Sequence, residues 1–296
     1  MQRIARQHFV FGIFLLAVVF SAVCTTRSQV PLPTPSPETA KPSASPSLEQ
    51  EFVKNILRDQ KALWAAPFHL SQKDAKVIAP IALGAMALIA TDRITGDEIG
   101  KLHRQLQASK VVSRGGSLYA LGAVSGTFYL VGRNTKDARA RETGVLGAEA
   151  LIDSLIVEGA LKAITERARP LAGRERSEFF EGGTSFPSGH AIHAWSFATI
   201  VANEYHDHRM VKVAAYGIAS AVSVARFTGQ EHYLSDVLVG SALGYGIGQY
   251  VYHAHHRQNS DTSGQHEKST VSPWPMIAPE YNRAAHTYAV ALRWSF

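Results

Sequence analysis

Phe186-Pro187-Ser188-Gly189-His190 is the stretch on which the reading of this chain turns. Its proline and glycine bend the backbone, and Ser188 is a good N-cap for the apolar run from Ala191 to Ala202 that follows. The N–H groups of Gly189 and His190 then stand at a helix N-terminus. Unpaired donors and the positive end of the helix dipole point the same way there, so the stretch is expected to receive a phosphate-like anion.

Outward from this point, apolar spacing predicts a body of helices. A first helix runs from Leu48 through Trp64, opened by a capping box of Ser47 with Gln50 and stopped before Pro67. A second starts near Ser71 with Asp74 in its first turn and continues through Val77 to Ala90. A third covers 116–131, and a fourth, 143–168, carries Glu149, Asp153 and Glu158 among apolar residues. Helices at 191–203, 210–225 and 235–253 come after the central stretch. At the C-terminus Tyr288, Val290, Leu292, Trp294 and Phe296 alternate with Ala289, Ala291, Arg293 and Ser295, the period of a strand. Paired with the stretch from Trp274 to Tyr281, it would form a hairpin packed on the helical body.

The chain has 296 residues, 46% of them apolar, enough for one domain with a substantial core plus appendages. Its net charge of +6 favours anionic partners, but the cations are scattered and form no stripe for nucleic acid. Arg3 and Arg6 precede the apolar run Phe9 to Val23, so residues 1–28 read as a signal peptide or N-terminal anchor and the protein as exported to a bacterial cell envelope. Cys24, the sole cysteine, can form no internal disulfide; it is either discarded with the signal or acylated. Residues 29–47 hold six prolines and form an extended tether. Residues 48–256 are the helical domain, and 257–296 a polar linker with the strand or hairpin. Most apolar runs are about 12 to 16 residues, short of the roughly 20 a spanning helix needs. With a mean hydropathy of −0.05, a soluble or peripherally attached body is expected. Val77 to Ala90 and Val237 to Tyr252 are the segments best suited to cross a bilayer.

Three clusters supply what phosphoryl transfer needs. Lys162 and Arg169-Pro170 are seven residues apart, about two helical turns, so both cations are expected on one helix face with Pro170 ending the helix. Ser188, Gly189 and His190 form the second cluster. The third is Arg226, His232 and Asp236, in which His232 and Asp236 are expected to face each other on a helix, the carboxylate fixing the imidazole tautomer. Singly, each is a common surface pattern.

In this order, Lys-x6-Arg-Pro, Pro-Ser-Gly-His and Arg-x5-His-x3-Asp resemble the three-part signature of the type-2 phosphatidic acid phosphatase superfamily, which includes bacterial acid phosphatases and vanadium haloperoxidases. The resemblance runs from about Leu151 to Tyr252, and it implies an all-α helical bundle. It departs at Ala225, where the family's third motif usually has serine. It implies that His232 is the nucleophile, giving a phosphohistidine, with Asp236 at its other nitrogen. His190 would protonate the leaving oxygen and then activate water. Lys162, Arg169, Ser188, Gly189 and Arg226 would hold the phosphate oxygens. No metal or other cofactor is implied for a phosphatase, and substrates would be phosphorylated small molecules or lipids, such as phosphatidic acid or isoprenoid pyrophosphates.

Two other activities fit the same residues less well. A vanadium haloperoxidase would hold vanadate, an inhibitor of the phosphatase, as its cofactor in this clamp. A non-enzymatic envelope binding protein would need none of the ten motif positions, yet all are present. His206, His208, His253, His255 and His256 offer imidazoles for zinc or copper, but are expected at exposed helix ends where they suit the dipole.

Overall fold

The computed structural model describes residues 48–98, 103–171, 177–260, 276–282 and 287–293. The expected signal segment with Cys24, the proline-rich tether, Ser47, Trp274 and Trp294 to Phe296 lie outside the described residues. α1 (Leu48–Ala65) ends in a 3-10 turn at Pro67. α2 (Gln72–Glu98), α3 (His103–Gly115), α4 (Leu118–Thr135) and α5 (Ala138–Thr165) follow. α6 (Gly189–Glu204), α7 (Arg209–Thr228) and α8 (Leu234–Ser260) complete the all-α body.

Local chemistry sets the helix starts. At α2, the Asp74 carboxylate accepts the Ser71 N–H at 3.0 Å and the Ser71 hydroxyl accepts the Asp74 N–H, a reciprocal capping box. Ser117 and Asp137 cap α4 and α5 by accepting the N–H groups of Ala120 and Ala140. Sequence periodicity gave no sign of α3, which is largely polar. It is held by packing along α7, where the Ser109 and Thr228 hydroxyls meet at 2.8 Å.

α8 rests directly on the backbone of α6. A Cβ added to Gly240, Gly244 or Gly248 would lie 2.7, 2.2 or 2.6 Å from the carbonyl oxygens of Ser188, Ile192 and Ser196. Glycine every fourth residue therefore permits a close helix crossing, and this contact brings the start of α6 to the start of α8. Leu146, Leu161, Ile192, Ile200, Leu243 and Ile247 form the main core around it.

Among the described residues two helices are long and apolar enough to cross a membrane, Asp74–Thr95 with mean hydropathy 1.7 and Arg209–Thr228 with 1.3. The first contains the expected segment Val77 to Ala90. The other expected segment, Val237 to Tyr252, is not among them; its Val237, Val239, Leu243, Ile247 and Val251 are buried in the core. The C-terminal hairpin is a separate unit, β1 (Met276–Asn282) paired antiparallel with β2 (Thr287–Arg293) so that Tyr281 lies opposite Tyr288.

Candidate active site

The polypeptide that leaves α5 builds the floor of the site. Glu166 adopts a left-handed φ of 42° and ends the helix, three residues before Arg169. The expected single helix face shared by Lys162 and Arg169 is therefore not formed: Lys162 is in the last turn of α5, and Arg169 is in the loop beyond it. The returning chain takes up the freed backbone groups. The Phe180 and Gly183 N–H groups donate to the carbonyls of Thr165 and Glu166, and the Ser185 N–H donates to that of Arg167, each at 2.9 Å. The Thr165 hydroxyl donates to the Phe186 carbonyl at 3.0 Å, tying the Pro-Ser-Gly-His turn to the end of α5.

Arg167, two residues before Arg169, is fully buried and organises the centre. Its guanidinium donates to Asp92 at 2.8 Å, to Asp236 at 2.5 Å and to the Ser235 hydroxyl at 2.7 Å, between the rings of Phe179 and Tyr233. Sequence reading missed both Arg167 and Asp92. Arg167 lies inside the first motif without being one of its positions, and Asp92 sits in an apolar helix 75 residues away. An aspartate just after the apolar run Val77 to Ala90 was the available signal.

His232 and Asp236 also differ from expectation. His232 precedes α8, so the two do not face each other along a helix. The Nδ1 of His232 is 2.7 Å from the Ser185 carbonyl and 3.8 Å from Asp236 Oδ2. A carbonyl only accepts, so Nδ1 carries the proton and Nε2 keeps a free lone pair. Asp236 is saturated by other donors: Arg167, the Ser185 hydroxyl at 2.6 Å and the Tyr233 N–H at 2.9 Å. Burial works against its charge, but Arg167 foremost keeps its carboxyl below the usual range. Burial also pushes the His232 imidazole down, with Asp236 opposing. His232 is thus a neutral base beside a fixed negative charge.

Ser188 occupies the N-cap position of α6, but its hydroxyl makes no cap bond and is buried without a partner. The Nε of Arg226 is likewise buried and unpartnered. Two donors near one helix N-terminus therefore lack an acceptor, as a site for an oxyanion requires. His190, the second residue of α6, is held down to about 4 by burial and by Arg226, His232 and His193. Lys162 Nζ contacts Glu158 at 2.5 Å, and Glu158 also faces His193 Nε2 at 3.1 Å. Burial raises the Glu158 carboxyl, but His193 and Lys162 outweigh it and bring it to about 2. Arg169 and Arg226 both meet Glu231, at 2.9 and 3.5 Å. The eight expected site residues thus lie at the C-terminal ends of α5 and α7, in the loop after α5, at the start of α6, in the loop into α8 and in the first turn of α8.

The histidines outside the site divide. His206, His208 and His253 are exposed, as expected. His255 is fully buried instead, its Nε2 2.7 Å from Asp59 Oδ2, because α1 packs over it. Asp59 belongs to a buried polar cluster with Asn55, Glu149 and Asp153, in which Asn55 donates to Glu149 and Gln60 donates to Asp153. Among the described residues no group of three or more His, Cys, Asp or Glu is arranged to hold a metal ion.

Residues 144–260 match the model of the PAP2 superfamily. A stretch of 69 residues is 38% identical to a lipid A 1-phosphatase of Porphyromonas gingivalis, covering 23% of this chain but 16% of that protein. The matched part is therefore a small fraction of that relative's length. The fold resembles the first transmembrane PAP2 type phosphatidylglycerolphosphate phosphatase from Bacillus subtilis, with a TM-score of 0.46 and 21% identity over 60% of this chain and 96% of that one.

Proposed function

We propose that this chain, whose residues 144–260 match the PAP2 superfamily model, is a metal-independent phosphatase that removes terminal phosphate groups, from lipids above all, through a phosphohistidine. The observation that carries this reading is the Ser185 carbonyl on His232 Nδ1, which leaves Nε2 as the nucleophile. Nε2 attacks phosphorus, the bond to the leaving oxygen breaks, and protonated His190 gives that oxygen its proton. His232 becomes cationic, and Asp236 at 3.8 Å stabilises it without taking its proton. Neutral His190 then takes a proton from water, whose oxygen displaces Nε2 and releases inorganic phosphate. Lys162, Arg169 and Arg226, the Ser188 hydroxyl and the Gly189 N–H hold the phosphoryl oxygens.

A lipid substrate is supported by an open apolar groove of about 310 Å³ between α4, α6 and α7. Its near end, at Ala194 and Val222, lies one helical turn from His190 and Arg226, and it runs past Ala198, Ala215 and Phe128 to Val211. A phosphate seated at the clamp would lead its hydrocarbon chain into this groove. Membrane association is supported by the two apolar helices, α2 and α7, whose Leu83, Ile94, Val213 and Ile218 remain exposed. With the N-terminal segment, this suits an exported enzyme of the bacterial envelope.

The test is hydrolysis by the full chain, in detergent and EDTA, of phenyl phosphate and of phosphatidic acid, with and without vanadate. Turnover that survives EDTA, is blocked by vanadate and traps a phosphate on His232 would support the mechanism. Near-normal turnover by a folded His232→Ala variant would sink it. Halide oxidation with vanadate and peroxide, in place of phosphatase turnover, would move the chain to the haloperoxidase branch.

A further inference from the structure

All three expected clamp cations already hold carboxylates. Lys162 is paired with Glu158, while Arg169 Nη1 and Arg226 Nη2 converge on a single oxygen, Oε2 of Glu231, at 2.9 and 3.5 Å. The two carboxylates differ in how firmly they are held. Glu158 is 11% exposed, pairs with Lys162 through one oxygen while the other faces His193 Nε2 at 3.1 Å, and lies so close to Gly189 that an added Cβ would fall 1.9 Å from its Oε1. It is a fixed wall. Glu231 is 33% exposed and lies in the short connection between α7 and α8, next to the nucleophile His232.

The connection aims Glu231 at the clamp. Gln230 takes a left-handed φ of 56°, and the Glu231 N–H donates back to the Arg226 carbonyl at 3.2 Å, folding the loop over the end of α7. The carboxylate thereby meets both guanidinium groups, while Arg226 Nε and the Ser188 hydroxyl stay without an acceptor. One half-buried carboxylate bridging two arginines takes up the same donors that a phosphoryl oxygen would take.

We propose that Glu231 is an internal competitor for the phosphate clamp: it holds Arg169 and Arg226 and must swing away before an oxyanion can bind. The inference rests on the phosphatase reading and adds a device to it. A site whose competent state is populated only in part binds every ligand more weakly by that fraction, so a carboxylate in place nine-tenths of the time weakens phosphate binding about tenfold. Substrate and product are affected alike. The benefit falls at the end of the cycle, when Glu231 returns to the arginines and helps inorganic phosphate leave.

The alternative role for Glu231 is to hold the arginines in the geometry that receives phosphate, and it predicts the opposite sign. We would measure the dissociation constant of inorganic phosphate by titration calorimetry, and kcat/KM for phenyl phosphate, on the full chain and on Glu231→Gln and Glu231→Asp. Competition predicts that Glu231→Gln binds phosphate about tenfold tighter and raises kcat/KM by the same factor. Glu231→Asp, one methylene shorter in reach, would fall between, and decides the matter if the glutamine variant does not fold. Unchanged or weaker phosphate binding in a folded variant, with an active parent enzyme, overturns the inference alone. A parent chain that neither turns over substrate nor binds phosphate overturns the phosphatase reading and this inference with it.

Discussion

His232 turns its Nδ1 to the carbonyl of Ser185, at 2.7 Å, and not to the carboxylate of Asp236 four residues on. A backbone carbonyl cannot be mutated away, so the tautomer of the proposed nucleophile is built into the fold. Asp236 has a different task, joining Arg167, Ser185 and Tyr233. Asp236→Asn is therefore expected to keep the His232 tautomer but weaken stabilisation of the imidazolium, lowering kcat on the order of 10² to 10³-fold, the scale of a lost electrostatic group. His232→Ala is expected to abolish turnover. Single-turnover kinetics on both variants would check this, and equal losses would return Asp236 to direct contact with the imidazole.

Arg167→Met is expected to be the most damaging change outside the reacting groups. It would leave Asp92 and Asp236 buried without their shared cation. Breaking a buried ion network from one side costs about 3 to 5 kcal/mol, which denaturant unfolding would register even where turnover is already lost.

The position of His190 near 4 sets a pH profile. The reaction needs protonated His190 and the substrate dianion, whose second pKa is about 6. Above pH 4 the acid is lost tenfold per unit while the dianion is gained tenfold per unit. The kcat/KM profile should therefore be level from about pH 4 to 6 and fall tenfold per unit above about 6. His190→Gln should remove this dependence together with most activity. A profile still rising at pH 8 would contradict the role given to His190.

Stability has its own pH dependence, from the cluster under α1. Burial raises Glu149 to about 7 and Asp153 to about 8, and Asp59 raises His255 against its burial. Each group holds its proton in the folded state after the unfolded chain has lost it. The contribution is full below the ordinary carboxylate pKa and is lost as pH rises through 7 to 8. A raised carboxyl such as Glu149 accounts for up to about 3 kcal/mol of this change. The melting temperature should fall from pH 5 to pH 9, and Glu149→Gln should flatten the slope; an unchanged slope would remove Glu149 from the account.

Filling the apolar groove separates the substrate classes. Ala198→Trp puts an indole into the groove, away from the clamp. Hydrolysis of long-chain phosphatidic acid is expected to drop about tenfold or more, at 1.4 kcal/mol per factor of ten, while phenyl phosphate turnover changes little. Parallel loss of both substrates, or of neither, would take the lipid chain out of the groove.

The candidate site residues were picked out by residue type and by the resemblance of their order to a three-part family signature, since cations, a helix N-terminus and an imidazole suit phosphate chemistry. Most helices, whose apolar stripes repeat at the helical period, were legible in the sequence, as was the Ser71/Asp74 start of α2. What each group touches was decided only in three dimensions. The left-handed Glu166 took Arg169 off the helix that carries Lys162, and the crossing at Gly240, Gly244 and Gly248 brought α6 and α8 together. Asp92 reached Arg167 across 75 residues, and α1 buried His255 against Asp59. Sequence records the local propensity of each segment and the chemistry of each side chain. Hydrogen-bond partners, burial and charge pairing depend on contacts between segments distant in the chain, and only their packing fixes those.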